Sequence, residues 1–294
     1  IKQSEFTSYP KNNYTELYYN VAKYLNVEKE CIFFSNGADG IIRELFMMFN
    51  NHKNVGILEY TYGMYNVYPK IFNMNIIKIP YIIDFNNNNK NIFKLNKKFF
   101  YKNIEKIDIL CFVNPNQISN NDFSTDKIEK LCQDYPKKIF VIDEAYFGFG
   151  QYSVINLTKR YNNIFVIRSF SKTFGLASTR LGVLIGNKNS IKPFITCSPI
   201  YSVNIYTSKV CNYFLNNIDI VNDYNDKVIE GREWFVETLR IHNYKVIDPK
   251  SLSIIICFTD ESICEKIYNK ALENSFYIKK MNIQEYKSLR ISCA

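Results

Sequence analysis

Between residues 55 and 185 six short apolar runs recur: Val55 to Leu58, Ile76 to Ile79, Ile109 to Val113, Ile139 to Ile142, Ile164 to Ile167 and Leu181 to Ile185. Helical stretches separate them. Parallel strands need a crossover connection, usually a helix, and the crossovers cover the sheet, so such strands are apolar on both faces. The pattern therefore predicts an α/β fold: a mostly parallel central sheet with helices on both faces. Ligands of such sheets gather at the carboxyl ends of the strands.

Upstream, Leu17, Val21, Tyr24 and Leu25 fall at helical intervals within Tyr14 to Leu25, and Glu30 to Phe34 has the character of a short first strand. A polar turn, Ser35-Asn36-Gly37-Ala38-Asp39-Gly40, then leads into the amphipathic helix start Ile41 to Phe46. Its amides lie at a helix N-terminus, where an anion is favoured and a phosphate can dock. Beyond Tyr206 a long helical stretch, Val210 to Leu239, precedes strand-like segments at Tyr244 to Ile247, Ser253 to Phe258 and Leu289 to Ile291. These predict a smaller α+β C-terminal domain. The expected division is an N-terminal segment 1–24, a large domain 25–208 and a small domain 209–294. The run Asn86 to Asn89 is expected to be a surface loop.

The net charge of +9 does not select nucleic acid, because Lys and Arg never form a run longer than two. A small anionic substrate accounts for the excess equally well. Two histidines, no H-E-x-x-H and no Cys/His cluster leave little for a metal site or for histidine acid–base chemistry. The eight cysteines carry no C-x-x-C pair and mostly sit in apolar segments, as reduced core residues do. No apolar run approaches the ~18 residues that span a bilayer, and no signal-peptide pattern opens the chain. The expectation is a cytoplasmic protein that engages neither membrane nor nucleic acid.

Chemistry concentrates in Arg168-Ser169-Phe170-Ser171-Lys172-Thr173-Phe174-Gly175-Leu176-Ala177-Ser178-Thr179-Arg180-Leu181-Gly182. Desolvation and neighbouring cations let Lys172 lose its proton near neutral pH and attack an aldehyde, while Ser169, Ser171 and Arg180 can hold a phosphate dianion. The cofactor that fits is pyridoxal 5'-phosphate, held as a Schiff base. Upstream, Asp143 closes an apolar strand, where a carboxylate can pair with a protonated pyridine nitrogen, and Tyr146 can donate to the cofactor's phenolic oxygen. Singly, each has a plainer explanation: a strand-terminal Asp capping a turn, one half-buried tyrosine among 23, a surface lysine. Their order and spacing together are not explained that way.

Over nearly its whole length the chain resembles the fold-type I aminotransferases of the histidinol-phosphate aminotransferase subgroup. The collinear motifs are Ser8-Tyr9-Pro10, Asn36 to Asp39, Thr61-Tyr62-Gly63-Met64-Tyr65, Asn114-Pro115-Asn116, Asp143 to Tyr146, Ser169 to Lys172, Arg180-Leu181-Gly182 and Leu289-Arg290-Ile291. The resemblance implies that Lys172 anchors the cofactor and shuttles the substrate's α-proton. It implies Asp143 at the pyridine nitrogen, Tyr146 at the phenolic oxygen and Tyr62 stacked on the ring. The phosphate would meet Ala38, Asp39, Ser169, Ser171 and Arg180, together with Tyr9 reaching across a homodimer interface. Arg290 would grip the substrate carboxylate, for which a guanidinium fork is suited, and Asn204 would line the substrate pocket.

The chain departs from the subgroup where Asn-Pro-Asn-Asn-Pro-Thr-Gly is usual: it has Asn114-Pro115-Asn116-Gln117-Ile118-Ser119-Asn120. Gln117 stands where an Asn bonds the phenolic oxygen, with the same amide on a side chain one methylene longer. The subgroup's Asn-Glu-Asn-Pro arm does not precede Ile1, and the sequence ends four residues after Arg290, so the small domain is expected to lack its last helix. The expected function is transfer of an amino group between an amino acid, glutamate foremost, and a small oxo compound that can be phosphorylated. Two alternatives stand beside it: a phospho-amino-acid decarboxylase acting on threonine phosphate or serine phosphate, and a degenerate, non-catalytic relative that only binds the cofactor.

Overall fold

The computed structural model describes residues 7, 9–10, 14–85, 92–119, 123–150, 152–197 and 201–294. Ser8, the Asn86 to Asn89 run and Asn120 lie outside the described residues. Helix α1 (Thr15–Leu25) leads through a 3-10 turn (Lys29–Cys31) to β1 (Ile32–Asn36), α2 (Gly37–Met48), β2 (Asn54–Leu58), the short α3 (Tyr68–Ile71) and β3 (Asn75–Ile79). A hairpin of β4 (Tyr81–Ile83) and β5 (Phe93–Leu95) precedes α4 (Lys97–Asn103), β6 (Ile109–Val113), α5 (Thr125–Asp134), β7 (Ile139–Asp143), β8 (Ile164–Ser169), β9 (Leu181–Gly186) and α6 (Lys188–Cys197). The C-terminal part comprises α7 (Ile205–Asn216), α8 (Ile218–Ile241), β10 (Lys245–Ile247), β11 (Ser253–Phe258), α9 (Glu261–Glu273), β12 (Lys279–Ile283) and β13 (Tyr286–Ser292).

Seven strands form the central sheet in the order β1-β9-β8-β7-β6-β2-β3. All run parallel except β9, which is antiparallel to both β1 and β8. The reason lies in its connection: residues 170–180 hold tight turns and a 3-10 turn (Ala177–Thr179) in place of a crossover helix, so the chain returns alongside β8. Alternating side chains supply both cores. Phe140 and Ile142 pack with Leu17, Val21, Phe112 and Ile128 on one side, and Val141 packs with Ile41, Leu45, Ile57, Phe165 and Ile191 on the other.

The second sheet, β10-β11-β13-β12, is antiparallel throughout. Lys279 of β12 lies directly opposite Arg290 of β13. Two local expectations are corrected. The polar turn from Ser35 is short, because α2 already begins at Gly37, and the single stretch Val210 to Leu239 is two helices, broken at Asn217 (φ −125°, ψ 54°). Among the described residues, no helix is long and apolar enough to cross a membrane.

Candidate active site

The carboxyl ends of β6, β7 and β8 lie side by side, and a cavity of about 450 Å³ opens there. Ala38, Asp39, Tyr62, Gln117, Asp143, Tyr146, Ser169, Ser171, Lys172, Arg180 and Arg290 all line it. Eleven of the thirteen residues expected from the sequence are thus brought together. Tyr9 and Asn204 are not: Tyr9 is exposed and stacks on Tyr201 with ring centroids 4.9 Å apart, and Asn204 caps α7, accepting from the Thr207 amide at 2.9 Å. A larger open groove of about 800 Å³, lined by Lys23, Lys29, Lys159 and Lys188 among others, includes none of the thirteen.

Asp143 is the last residue of β7 and is buried. Its Oδ1 accepts from the Ala145 amide at 3.0 Å and its Oδ2 from the Tyr65 hydroxyl at 2.9 Å. Burial pushes the carboxyl from 3.8 up to about 6, against those two hydrogen bonds, and the charges of Asp39 and Glu144 add to the rise. A cation brought to this carboxylate reverses the effect of burial, which is what a pyridinium nitrogen supplies. The neighbouring Glu144 is committed elsewhere, to Arg168 at 2.8 Å, the Val154 amide at 2.7 Å and the Ser153 hydroxyl at 2.8 Å.

Lys172 sits three residues beyond β8 in a turn closed by the Gly175 amide donating to its carbonyl at 3.0 Å. Desolvation holds its ammonium below the ordinary lysine range; Arg290 and Arg180 push the same way, while Asp39 opposes them. A lysine so placed reaches its neutral, nucleophilic form at lower pH. Its Nζ lies 5.9 Å from the centre of the Tyr146 ring. Burial raises the Tyr146 phenol, which stays a hydrogen-bond donor. The Tyr62 hydroxyl donates to Asp39 at 2.8 Å, fixing the ring at the rim of the cavity.

The candidate phosphate site joins backbone to side chains. Gly37 takes φ +73°, which starts α2 directly after β1, and its amide donates to the Arg180 carbonyl at 2.8 Å. No side chain caps that helix, so the amides that follow Gly37 in its first turn have no capping side chain and can meet an anion. A Cβ on Gly182 would lie 2.2 Å from the Gly37 carbonyl oxygen, so only glycine lets β9 approach the helix start this closely. Arg180 touches Asp39 and Ser171 only at 3.5 Å each and is partly exposed, so its fork is lightly held. Two hydroxyls, an arginine and an uncapped helix N-terminus fit a phosphate dianion, and Lys172 and Asp143 fit the aldehyde and ring nitrogen of the same molecule.

Two residues of the site escaped the sequence argument. Tyr65 lies in the Thr61 to Tyr65 motif, but nothing local in the sequence signals that it is buried against Asp143. Lys279 lines the cavity opposite Arg290; residues directly opposed in an antiparallel pair share a face, but that signal needs the register, which the sequence does not display.

A half-buried lysine held below its ordinary range, a buried carboxylate and a set of groups that fit a phosphate, gathered at the strand ends of this sheet, suit a pyridoxal-phosphate-dependent enzyme of fold type I. The sequence matches the family described as aminotransferase class I and II over residues 1–294. The chain is 30% identical over 283 residues to a histidinol-phosphate aminotransferase of Brachyspira hyodysenteriae, covering 92% of this chain and 75% of that one. Among solved structures, the histidinol-phosphate aminotransferase of Sinorhizobium meliloti in complex with pyridoxal-5'-phosphate superposes with a TM-score of 0.85 at 16% identity, covering 99% of this chain and 79% of that one. The L-threonine-O-3-phosphate decarboxylase of Porphyromonas gingivalis superposes with a TM-score of 0.80 at 18% identity, covering 98% and 86%. The chain belongs to the class I and II aminotransferases. It is a pyridoxal-phosphate-dependent aminotransferase, similar to the histidinol-phosphate aminotransferases.

Proposed function

We infer that the protein moves an amino group between an amino acid, glutamate foremost, and a small oxo compound bearing a phosphate. The observation that carries this is the opposition of Lys279 and Arg290 on β12 and β13, both lining the cavity that holds Lys172. Two cations at one wall suit a substrate with two anionic groups: a fork for the α-carboxylate, and a point charge for a side-chain carboxylate or phosphate. When bound, pyridoxal phosphate supplies the aldehyde carbon and the electron-withdrawing ring. Lys172 would hold that aldehyde and take up and return the α-proton. Asp143 would hold the ring nitrogen and Tyr146 the phenolic oxygen, with Tyr62 at the ring. Ala38, Asp39, Ser169, Ser171 and Arg180 would hold the phosphate.

A phosphorylated substrate is also in keeping with the relatives, whose name specifies histidinol phosphate. We further infer a cytoplasmic homodimer, with segment 1–24 contributing Tyr9 to the partner's site and the chain dividing into domains 25–208 and 209–294. The exposure of Tyr9 supports such a contribution, and the free cysteines suit a reducing compartment.

The test is spectroscopic. Pyridoxal phosphate added to the pure protein gives a visible absorbance band that Lys172→Ala abolishes, and glutamate then converts the bound cofactor to its amine form. A band that survives Lys172→Ala overturns the assignment, and failure of glutamate overturns the donor. Serine phosphate and threonine phosphate, scored for carbon dioxide against oxo acid, separate transamination from decarboxylation; carbon dioxide as the main product overturns the transaminase reading.

A further inference from the structure

Gln117 stands where the resemblance implies an amide turned to the cofactor's phenolic oxygen, and its side chain is engaged otherwise. Its carboxamide oxygen accepts a hydrogen bond from Nη1 of Arg290, and its backbone carbonyl accepts from the Ser253 hydroxyl at 3.5 Å. One residue thus ties the loop after β6 to both β13 and β11. Gln117, Arg290 and Lys172 line the same cavity. A carboxamide oxygen offers the guanidinium the same kind of acceptor as a carboxylate but without the charge, so its bond is the weaker of the two.

We propose that Gln117 is a positioning and specificity residue: it holds Arg290 in the cavity as a neutral stand-in for the substrate carboxylate, and yields the guanidinium to that carboxylate when substrate enters. The proposal rests on the assignment of Arg290 to the substrate carboxylate. The physical logic is exchange of a neutral acceptor for a charged one at a single donor. Before substrate arrives, Gln117 keeps the long Arg290 side chain from sampling other rotamers, so less conformational entropy is lost on binding. Because Gln117 is uncharged, it loses the competition to a carboxylate. A charged residue at this position would hold Arg290 too well, and the substrate would have to displace an ion pair.

The experiment uses the protein loaded with pyridoxal phosphate and glutarate, a dicarboxylate without an amino group, titrated by calorimetry. In Gln117→Glu the glutarate dissociation constant rises about tenfold or more, the scale of one charge-assisted hydrogen bond, while the wavelength of the visible cofactor band stays as in the wild type. Arg290→Ala alone weakens glutarate binding, and in that background Gln117→Glu has no further effect beyond about threefold, because coupled residues are non-additive. Unchanged glutarate affinity in Gln117→Glu overturns the proposal, as does a displaced cofactor band, which would place the side chain on the phenolic oxygen. Unchanged glutarate affinity in Arg290→Ala overturns the carboxylate assignment instead. Absence of any cofactor band in the wild type overturns the functional reading and leaves neither standing.

Discussion

The Tyr65 hydroxyl donates a 2.9 Å hydrogen bond to Oδ2 of Asp143, and both groups are buried. Tyr65 follows Tyr62 by three residues, and their rings meet edge to face at 6.5 Å. One short segment therefore supplies a ring at the cavity rim and a donor to the carboxylate within. The bond favours ionised Asp143 against the burial that opposes it. In Tyr65→Phe the site keeps its shape and loses the donor. A hydrogen bond to a charged group contributes about 1.5–3 kcal/mol, so the Asp143 midpoint rises from about 6 by roughly one unit or more. Isotope-edited infrared titration of the cofactor-free variant reads this directly; an unmoved midpoint means the phenol does not tune the carboxylate.

The same carboxyl makes stability depend on pH. Its folded midpoint, about 6, lies above the ordinary 3.8, so the folded state holds the proton more tightly than the unfolded chain. Its contribution is therefore full below pH ~4 and is lost as pH rises through about 6. The size, from a difference of about two units, is on the order of 3 kcal/mol. Cofactor-free Asp143→Asn, which carries no such titration, gains stability relative to the wild type between pH 4 and pH 7.5. Paired urea melts at the two pH values measure the gain, and a constant offset contradicts it.

Two glycines with opposite surroundings test the phosphate cradle. A methyl at Gly182 meets the Gly37 carbonyl at 2.2 Å, whereas nothing lies within 4 Å of a methyl at Gly231 inside α8. Gly182→Ala must push the start of α2 away from β9, with about 1–3 kcal/mol lost and cofactor affinity reduced. Gly231→Ala gains roughly 0.5–1 kcal/mol from helix propensity and leaves cofactor affinity alone. Thermal melts and fluorescence titration with pyridoxal phosphate separate the two effects; equal affinities in both variants would show that the close approach is unrelated to the cradle.

Residues with strong local signals were legible in the sequence. Apart from the edge run Ile76 to Ile79, the apolar runs emerged as strands because burial on both faces leaves no polar alternation to blur, and Lys172, Asp143 and Arg180 stood out because their types are unusual beside such strands. What stayed hidden depended on pairing. The reversal of β9 follows from its short connection, which an apolar run does not reveal. Lys279 acquires meaning only from its register with Arg290, and Gln117 from a contact 173 residues away in sequence. Asn204 shows the converse: its motif suggested the pocket, but an Asn before a helix meets the local demand for a cap first.

Behind the cavity, Glu144 and Arg168 form an ion pair at 2.8 Å with both side chains almost wholly buried. The guanidinium lies 3.4 Å over the Phe147 ring, and the Ser153 hydroxyl is shared by both partners. Glu144 adjoins Asp143 and Arg168 adjoins Ser169, so the pair clamps the ends of β7 and β8 one residue from the site. Removing one member of a buried pair strands the other charge and costs about 3–5 kcal/mol, whereas replacing both by apolar groups of similar size is far less damaging. Glu144→Ala is thus expected to lower urea stability by that amount and to weaken cofactor binding. The double variant Glu144→Leu with Arg168→Met recovers most of the stability, having no stranded charge. Cofactor affinity then decides what the clamp does beyond folding: a double variant that is stable but still binds pyridoxal phosphate weakly shows that the pair sets the spacing of Asp143 and Ser169, while full recovery of binding limits its role to stability.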